Sequence, residues 1–485
     1  MLMVRERAFY IRLVTLAAPL ALQSVITFSV ALADNMMVGQ LGALALSGVF
    51  VANQIQTLLH MLVMGLVSAL LILGSQFWGK REAEKVTTII GIAFKFGVGS
   101  GLVITLVTLV WPVGVLRVFT DETDVLSEAR AYLVIIRWSY LCFCVTQILI
   151  GAMRCVERVR IGMYLSIMTF VVNVSLNWVL IFGNLGAPAL GIRGAAIATL
   201  TARVLETIVM VVYVRLVDTR LRMRVQDILR TERVLLLRFF RYGLPVIGGS
   251  LFWGINLAAQ GAIVGRLGAT ALASVSIANI VSQIMAVVVY GTAGATGIII
   301  GQAVGAGEND RVRAYAKTLQ VLYVGIGLLS GAALMLVREN IGLVYTLDAE
   351  TMAMTRGFLL VLSVTIVGTA YQMSCLTGIV RAGGATHFVL VNDLIWILGF
   401  VLPASAIATF GFQAAPIVVF ALLKSDQILK CTVAAFTVNR FRWIKNLTVD
   451  PPEAEPSSRG TLTPACPAAA PRARLSGSGV SPSAR

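Results

Sequence analysis

Apolar residues run through this chain in long blocks separated by short polar breaks, and each block is close to the 20 or so residues a helix needs to cross a bilayer. Six blocks fall at about 13–38, 44–73, 88–111, 129–150, 161–182 and 192–214. Six more follow at about 236–264, 270–300, 314–336, 356–378, 388–410 and 413–438. The pattern predicts an all-α polytopic membrane protein of twelve transmembrane helices.

Sliding the chain along itself by 226 residues exposes an internal repeat. "VGQLGALAL" at 38 matches "VGRLGATAL" at 264, Pro19 meets Pro245, Asn53 meets Asn279, Gln76 meets Gln302, Gly79 meets Gly305 and Glu82 meets Glu308. After a slip of one residue, Gly151 meets Gly378 and Arg154 meets Arg381. Six is even, so the two halves enter the membrane in the same orientation, as parallel repeats about an axis along the membrane normal. The expected organisation is a first six-helix lobe over 1–214, an Arg-rich linker over 215–241 running into helix seven, and a second lobe over 242–449. The Pro-, Ala-, Ser- and Gly-rich segment 450–485 is too poor in large apolar residues to pack, and is expected to be a disordered tail. Two lobes about a central cleft are transporter architecture.

Composition agrees: 58% hydrophobic, 13% charged and a mean hydropathy of +0.87 are far from a soluble protein of 485 residues. The net charge of +16 sits in short clusters between the apolar blocks, which argues against a nucleic-acid partner and for topology signals. Lys and Arg collect before block one and after blocks two, four, six, eight, ten and twelve, while the loops after blocks three and nine carry acids such as Asp121 and Asp348. Both termini are therefore expected in the cytoplasm, with the chain in the inner membrane. "ALA" at 31–33 mimics a signal-cleavage site, but the preceding run is too long for a signal peptide and recurs in the second half, so no cleavage is expected. Six scattered cysteines without a CxxC pair and two distant histidines indicate no disulfide framework or zinc site. Without HExxH, Gly-x-Ser-x-Gly or a His paired with a carboxylate, an enzyme is not expected, and no cofactor is called for.

Chemistry then rests on the few polar groups at bilayer depth, where an ionisable side chain is expensive. Asp34 lies in the outer half of the first block and shares a helical face with Gln23 and Thr27. Asn173 and Asn177, four apart in the fifth block, and Thr199 in the sixth are complementary oxygen-bearing groups. A carboxylate with neutral oxygens suits Na⁺, at Asp34, Asn173 and Asn177; the same carboxylate in a desolvated site suits a proton. Spacing alone leaves both open. Arg203 with Glu206 and Asp426 with Lys430 are spaced to pair within their helices. Asp393, the sole acid of block eleven, is a candidate second titratable site in the cleft. At the repeat offset, Gln23, Thr27 and Asp34 become Gly249, Trp253 and Gln260, so the second half has lost the charge and gained an aromatic, with Asn256 on the same face. Such a face suits a flat organic cation.

Taken together, Pro19 to Asp34 with "MMVGQLGALAL", "NVSLNWVLIFG", "LGIRGAAIAT", "GIVRAGG" and "NRFRWIKNL" resemble the multidrug and toxic compound extrusion (MATE) family over about 8–447. The resemblance implies two six-helix lobes in a V and export of cationic drugs driven by Na⁺ or H⁺. It places the family's first-helix acid on Asp34, its fifth-span Asn on Asn173 and its sixth-span Thr on Thr199. Two departures stand out: Asn177 where many members carry an acid, and Gly249 and Ser250 where many carry a Glu. A lipid-linked oligosaccharide flippase of the same superfamily is the alternative, but such proteins tend to line the cleft with cations. Duplication already supplies two lobes, so a monomer is expected.

Overall fold

The computed structural model describes residues 4–221, 223–343 and 348–449. The expected tail 450–485 lies outside the described residues. Among these residues the architecture is helical throughout, and twelve spans follow in order. They are α1 (Arg7–Gly39), α2 (Ala43–Gly79), α3 (Ala83–Val110), the bent α4 (Thr123–Ile136 and Ser139–Cys155), α5 (Arg160–Phe182) and α6 (Ile192–Val212). The second six are α7 (Arg233–Gly265), α8 (Ala269–Gly305), α9 (Asn309–Asn340), α10 (Ala349–Met373), α11 (Thr386–Trp396) and α12 (Pro416–Leu423 and Asp426–Arg440). Wider turns extend α6 to Val217, α10 to Val380 and α11 to Gly411.

Three expectations need adjusting. The fourth span bends by 55° at Arg137–Trp138, and the twelfth is interrupted at Lys424–Ser425. Both breaks fall at polar residues inside apolar stretches, Arg137 in the fourth span and Lys424 and Ser425 in the twelfth. Helix α7 starts at Arg233, so the expected linker 215–241 is shortened from both ends by helix. Its arginines can lie along helix surface while their guanidinium groups reach water.

The apolar cores bridge the halves: the one centred on α2 with α3, α4 and α6 takes in Phe239, Val246 and Ile247 of α7, the one on α8 with α9 takes in Leu13, Leu16 and Leu20 of α1, and a third joins α8, α10 and α12. The halves meet through α1 against α8, α2 against α7, and α2 against α8. These contacts obey the repeat. In α2, a Cβ on Gly65 would lie 2.7 Å from the Ile247 Cα of α7, and in α8 a Cβ on Gly291 would lie 2.8 Å from Ala21 of α1. Gly65 and Gly291 are repeat partners, as are Ala21 and Ile247. Small residues let these backbones approach where packing and not hydrophobicity must drive association in lipid.

Candidate functional site

Helix α1 packs against α5, and α5 against α6, so three helices of the first half converge on Asp34. Asn173 and Asn177 are one turn apart and both buried, which places their amides in a column facing α1. Asn177 Nδ2 donates to Asp34 Oδ1 and to Asn173 Oδ1 at 3.2 Å, and Asn173 Nδ2 donates to Thr199 Oγ1 at 3.2 Å. One continuous chain of hydrogen bonds thus links the carboxylate to the sixth span. Asn177 Oδ1 is buried and receives no donor. The cluster therefore offers oxygens of three kinds, carboxylate, amide and hydroxyl, the donor set a hard monovalent cation takes. A protonated carboxyl would serve the same amide oxygen as a donor.

Two further groups belong to this neighbourhood and were not singled out for it by sequence. The buried phenol of Tyr132 adjoins Thr199, and Arg203 acts electrostatically on Asp34. Arg203 pairs with Glu206 at 2.8 Å, as the spacing predicts, and lies over the Phe143 ring. The Tyr132 position carries no local signal, because no short-range spacing ties the fourth span to the sixth.

The rest of the predicted polar face divides. Gln23 is buried and accepts from Arg154 Nη2 at 2.9 Å, while Thr27 returns its hydroxyl to the Gln23 carbonyl. In the second half, Gln260 Nε2 donates to Asn256 Oδ1 at 3.2 Å, and Lys424 Nζ, at the break in α12, donates to Gln260 Oε1 at 3.3 Å. Where the first half has Asp34 with an amide donor, the second half therefore has an amide with a cationic donor. Trp253 is 42% exposed and separate from that chain. Asp393 is not a lone acid: the buried Lys430 reaches it at 2.9 Å and Asp426 at 3.1 Å, so the expected pair within α12 is a triad across two helices.

Two six-helix lobes joined by repeat-related contacts, with one carboxylate held in an amide cluster of the first lobe, define a two-lobed membrane transporter. A family model, MatE, matches residues 19–179 and 245–407, once in each half. The chain belongs to that family, the MATE transporters. Among relatives, the multidrug resistance protein MdtK of Edwardsiella ictaluri is 25% identical over 448 residues, covering 89% of this chain and 95% of its own length. The multidrug resistance protein NorM of Photobacterium profundum is 27% identical over 407 residues, 80% of this chain and 85% of its own. Among solved structures, the Vibrio cholerae MATE transporter VcmN in its bent form superposes with a TM-score of 0.79 at 19% identity, covering 88% of this chain and 96% of that one.

Proposed function

We propose that the chain is a secondary active multidrug efflux transporter that exports organic cations in exchange for inward Na⁺ or H⁺, with Asp34 as the coupling group. The observation that carries this is the Asp34–Asn177–Asn173–Thr199 chain, a single carboxylate tied to three spans of one lobe. Support also comes from the relatives named multidrug resistance proteins.

In this mechanism an ion entering from outside neutralises Asp34, and Asn177 turns its amide oxygen toward the proton or Na⁺. Either event alters what holds α1 to α5. Pro19 lies within α1 and cannot donate to the carbonyl one turn earlier, so the helix can bend there. A change at Asp34 thereby reaches the part of α1 that packs on α8 of the other lobe. The drug leaves as this contact rearranges, and return of the emptied cleft releases the ion inward.

The test uses full-length protein in proteoliposomes loaded with a fluorescent organic cation, with Na⁺ and pH gradients imposed separately. Whichever gradient drives export against the substrate gradient identifies the ion. Asp34→Asn should insert normally and lose driven export; a variant that exports at the full rate would remove Asp34 from the mechanism.

A further inference from the structure

At the end of the bundle that carries the N-terminus, α2 and α8 cross between the lobes, and the crossing follows the repeat. Gln302 Nε2 donates to the Cys155 carbonyl at 3.0 Å, and its repeat partner Gln76 donates to the Ala382 carbonyl, also at 3.0 Å. Such a two-fold junction has two notches, one on each side, lined by partner residues. The notch around Arg238, Gln76 and Lys80 is filled by the chain itself. Carbonyl oxygens of Lys445, Leu447 and Thr448 are met there by Gln76 Nε2 at 3.4 Å, Arg238 Nη1 at 3.1 Å and Lys80 Nζ at 3.4 Å.

The opposite notch, around Arg12, Gln302 and Ala306, is a cavity of about 480 Å³ that also takes in Trp78, Arg81, Glu308, Arg311 and Tyr315. It presents donors without an equivalent row of carbonyls. Arg12 is held by Glu157 and Gln302, and Arg311 pairs with the lining acid Glu308 at 3.0 Å. Among the described residues the Arg81 guanidinium has no partner. With three arginines set against Glu308 and the Glu157 behind Arg12, the excess positive charge rests on Arg81.

The backbone marks the same residue, as it does four others among the described residues, one of them Glu157 (φ +62°), which holds Arg12. Arg81 sits at φ +66°, the left-handed position just past a helix end, and its repeat partner Gly307 sits at φ +77°. Glycine takes that conformation freely and any larger side chain is strained in it. The first half thus places a guanidinium where the second half keeps the unstrained residue, and strain at such a position points to a task for the side chain.

We propose that this cavity binds a phosphate-type anion, either the headgroup of an anionic phospholipid or free phosphate, held by Arg81 and Arg311 from the two lobes. Guanidinium groups suit phosphate because their paired N–H donors match its oxygens. Trp78 and Tyr315 supply walls for whatever the phosphate carries. An anion gripped by both lobes does for this notch what residues 445–448 do for the other: it joins the halves at this end and favours the arrangement in which they meet there.

The experiment uses full-length protein in nanodiscs and reads the melting temperature. In phosphatidylcholine discs, inorganic phosphate is titrated at constant ionic strength; in parallel, phosphatidylglycerol is added to the discs. A saturable rise with phosphate identifies the free anion as a ligand, and a rise with phosphatidylglycerol alone identifies the headgroup; both support the site. Arg81→Gly relieves the strained position, so it should fold with an unchanged or higher melting temperature. It should also bind roughly tenfold more weakly, the loss expected for a charge-assisted contact, and Arg311→Gln should weaken binding likewise. If neither ligand raises the melting temperature, or if both variants respond as wild type does, the site is refuted.

Discussion

Gly79 and Gly305, repeat partners at the ends of α2 and α8, lie against each other's helices. A Cβ on Gly79 would fall 2.0 Å from the Gln302 carbonyl oxygen, and one on Gly305 would fall 1.8 Å from that of Gln76. The backbone is the obstacle on both sides, so no side-chain rotation can make room. Gly79→Ala and Gly305→Ala should each cost roughly 1–3 kcal/mol, or more, as overpacked contacts do. Thermal melting of the purified variants checks this, with Gly99→Ala as control, because nothing lies within 4 Å of a Cβ there. The two glycine variants should melt lower by similar amounts; a normal melting temperature in either would show that the lobes do not meet in this way.

Asn177 donates to Asp34 and is fully buried between α5 and α1. Asn177→Leu keeps the volume but removes both the donor to the carboxylate and the amide oxygen proposed to receive the ion. Losing the amide oxygen removes a neutral oxygen ligand from the bound ion, so Na⁺-driven export should need roughly tenfold more Na⁺ for its half-maximal rate, or about 1.4 kcal/mol. Measuring export rate against ion concentration checks it, and an unchanged midpoint would separate Asn177 from coupling.

The span positions were legible because lipid demands long apolar runs, and the repeat was legible because Gly and Gln positions at the crossing tolerate little change. Asp34, Asn173, Asn177 and Thr199 could be grouped for a related reason: polar atoms in apolar spans must find one another. Legibility failed where partners come from different spans. Nothing local ties Asp393 to Lys430, Gln23 to Arg154 or Tyr132 to Thr199, and α4 bends at Arg137–Trp138. The bend itself is averaged away in any window long enough to recognise a span. In the sequence Arg81 is one of the basic residues after block two and nothing more, since a left-handed backbone position leaves no mark on hydropathy.

Glu82, in the turn between α2 and α3, is held below its ordinary carboxyl value by the Lys80 ammonium at 2.8 Å and, after it, by Lys85 at 2.9 Å. A depressed value means the folded state favours the ionised form. The resulting stability is complete above the ordinary value of 4.5 and is lost as pH falls through the lower folded value. Glu82→Gln should therefore melt below wild type at neutral pH, and the gap should close as the pH is taken down past that range. A gap that stays constant to acid pH would mean the ion pairs contribute nothing.

Lys430 is buried between two carboxylates, Asp426 on its own helix and Asp393 on α11. Removing the cation leaves two acids facing each other inside the bundle, whereas removing one acid leaves a neutral pair. Lys430→Met should accordingly destabilise by about 3–5 kcal/mol, and Asp393→Asn by clearly less. Adding Asp426→Asn to Lys430→Met should recover part of the loss, because one of the unpaired charges is gone. The same variants separate structure from coupling: with Asp393 tied to Lys430, Asp393→Asn should keep ion-driven export when assayed at equal amounts of folded protein. Loss of export in a variant that melts normally would instead make Asp393 a second coupling group, and the second lobe would then carry an ion site that its Gln260 does not replace.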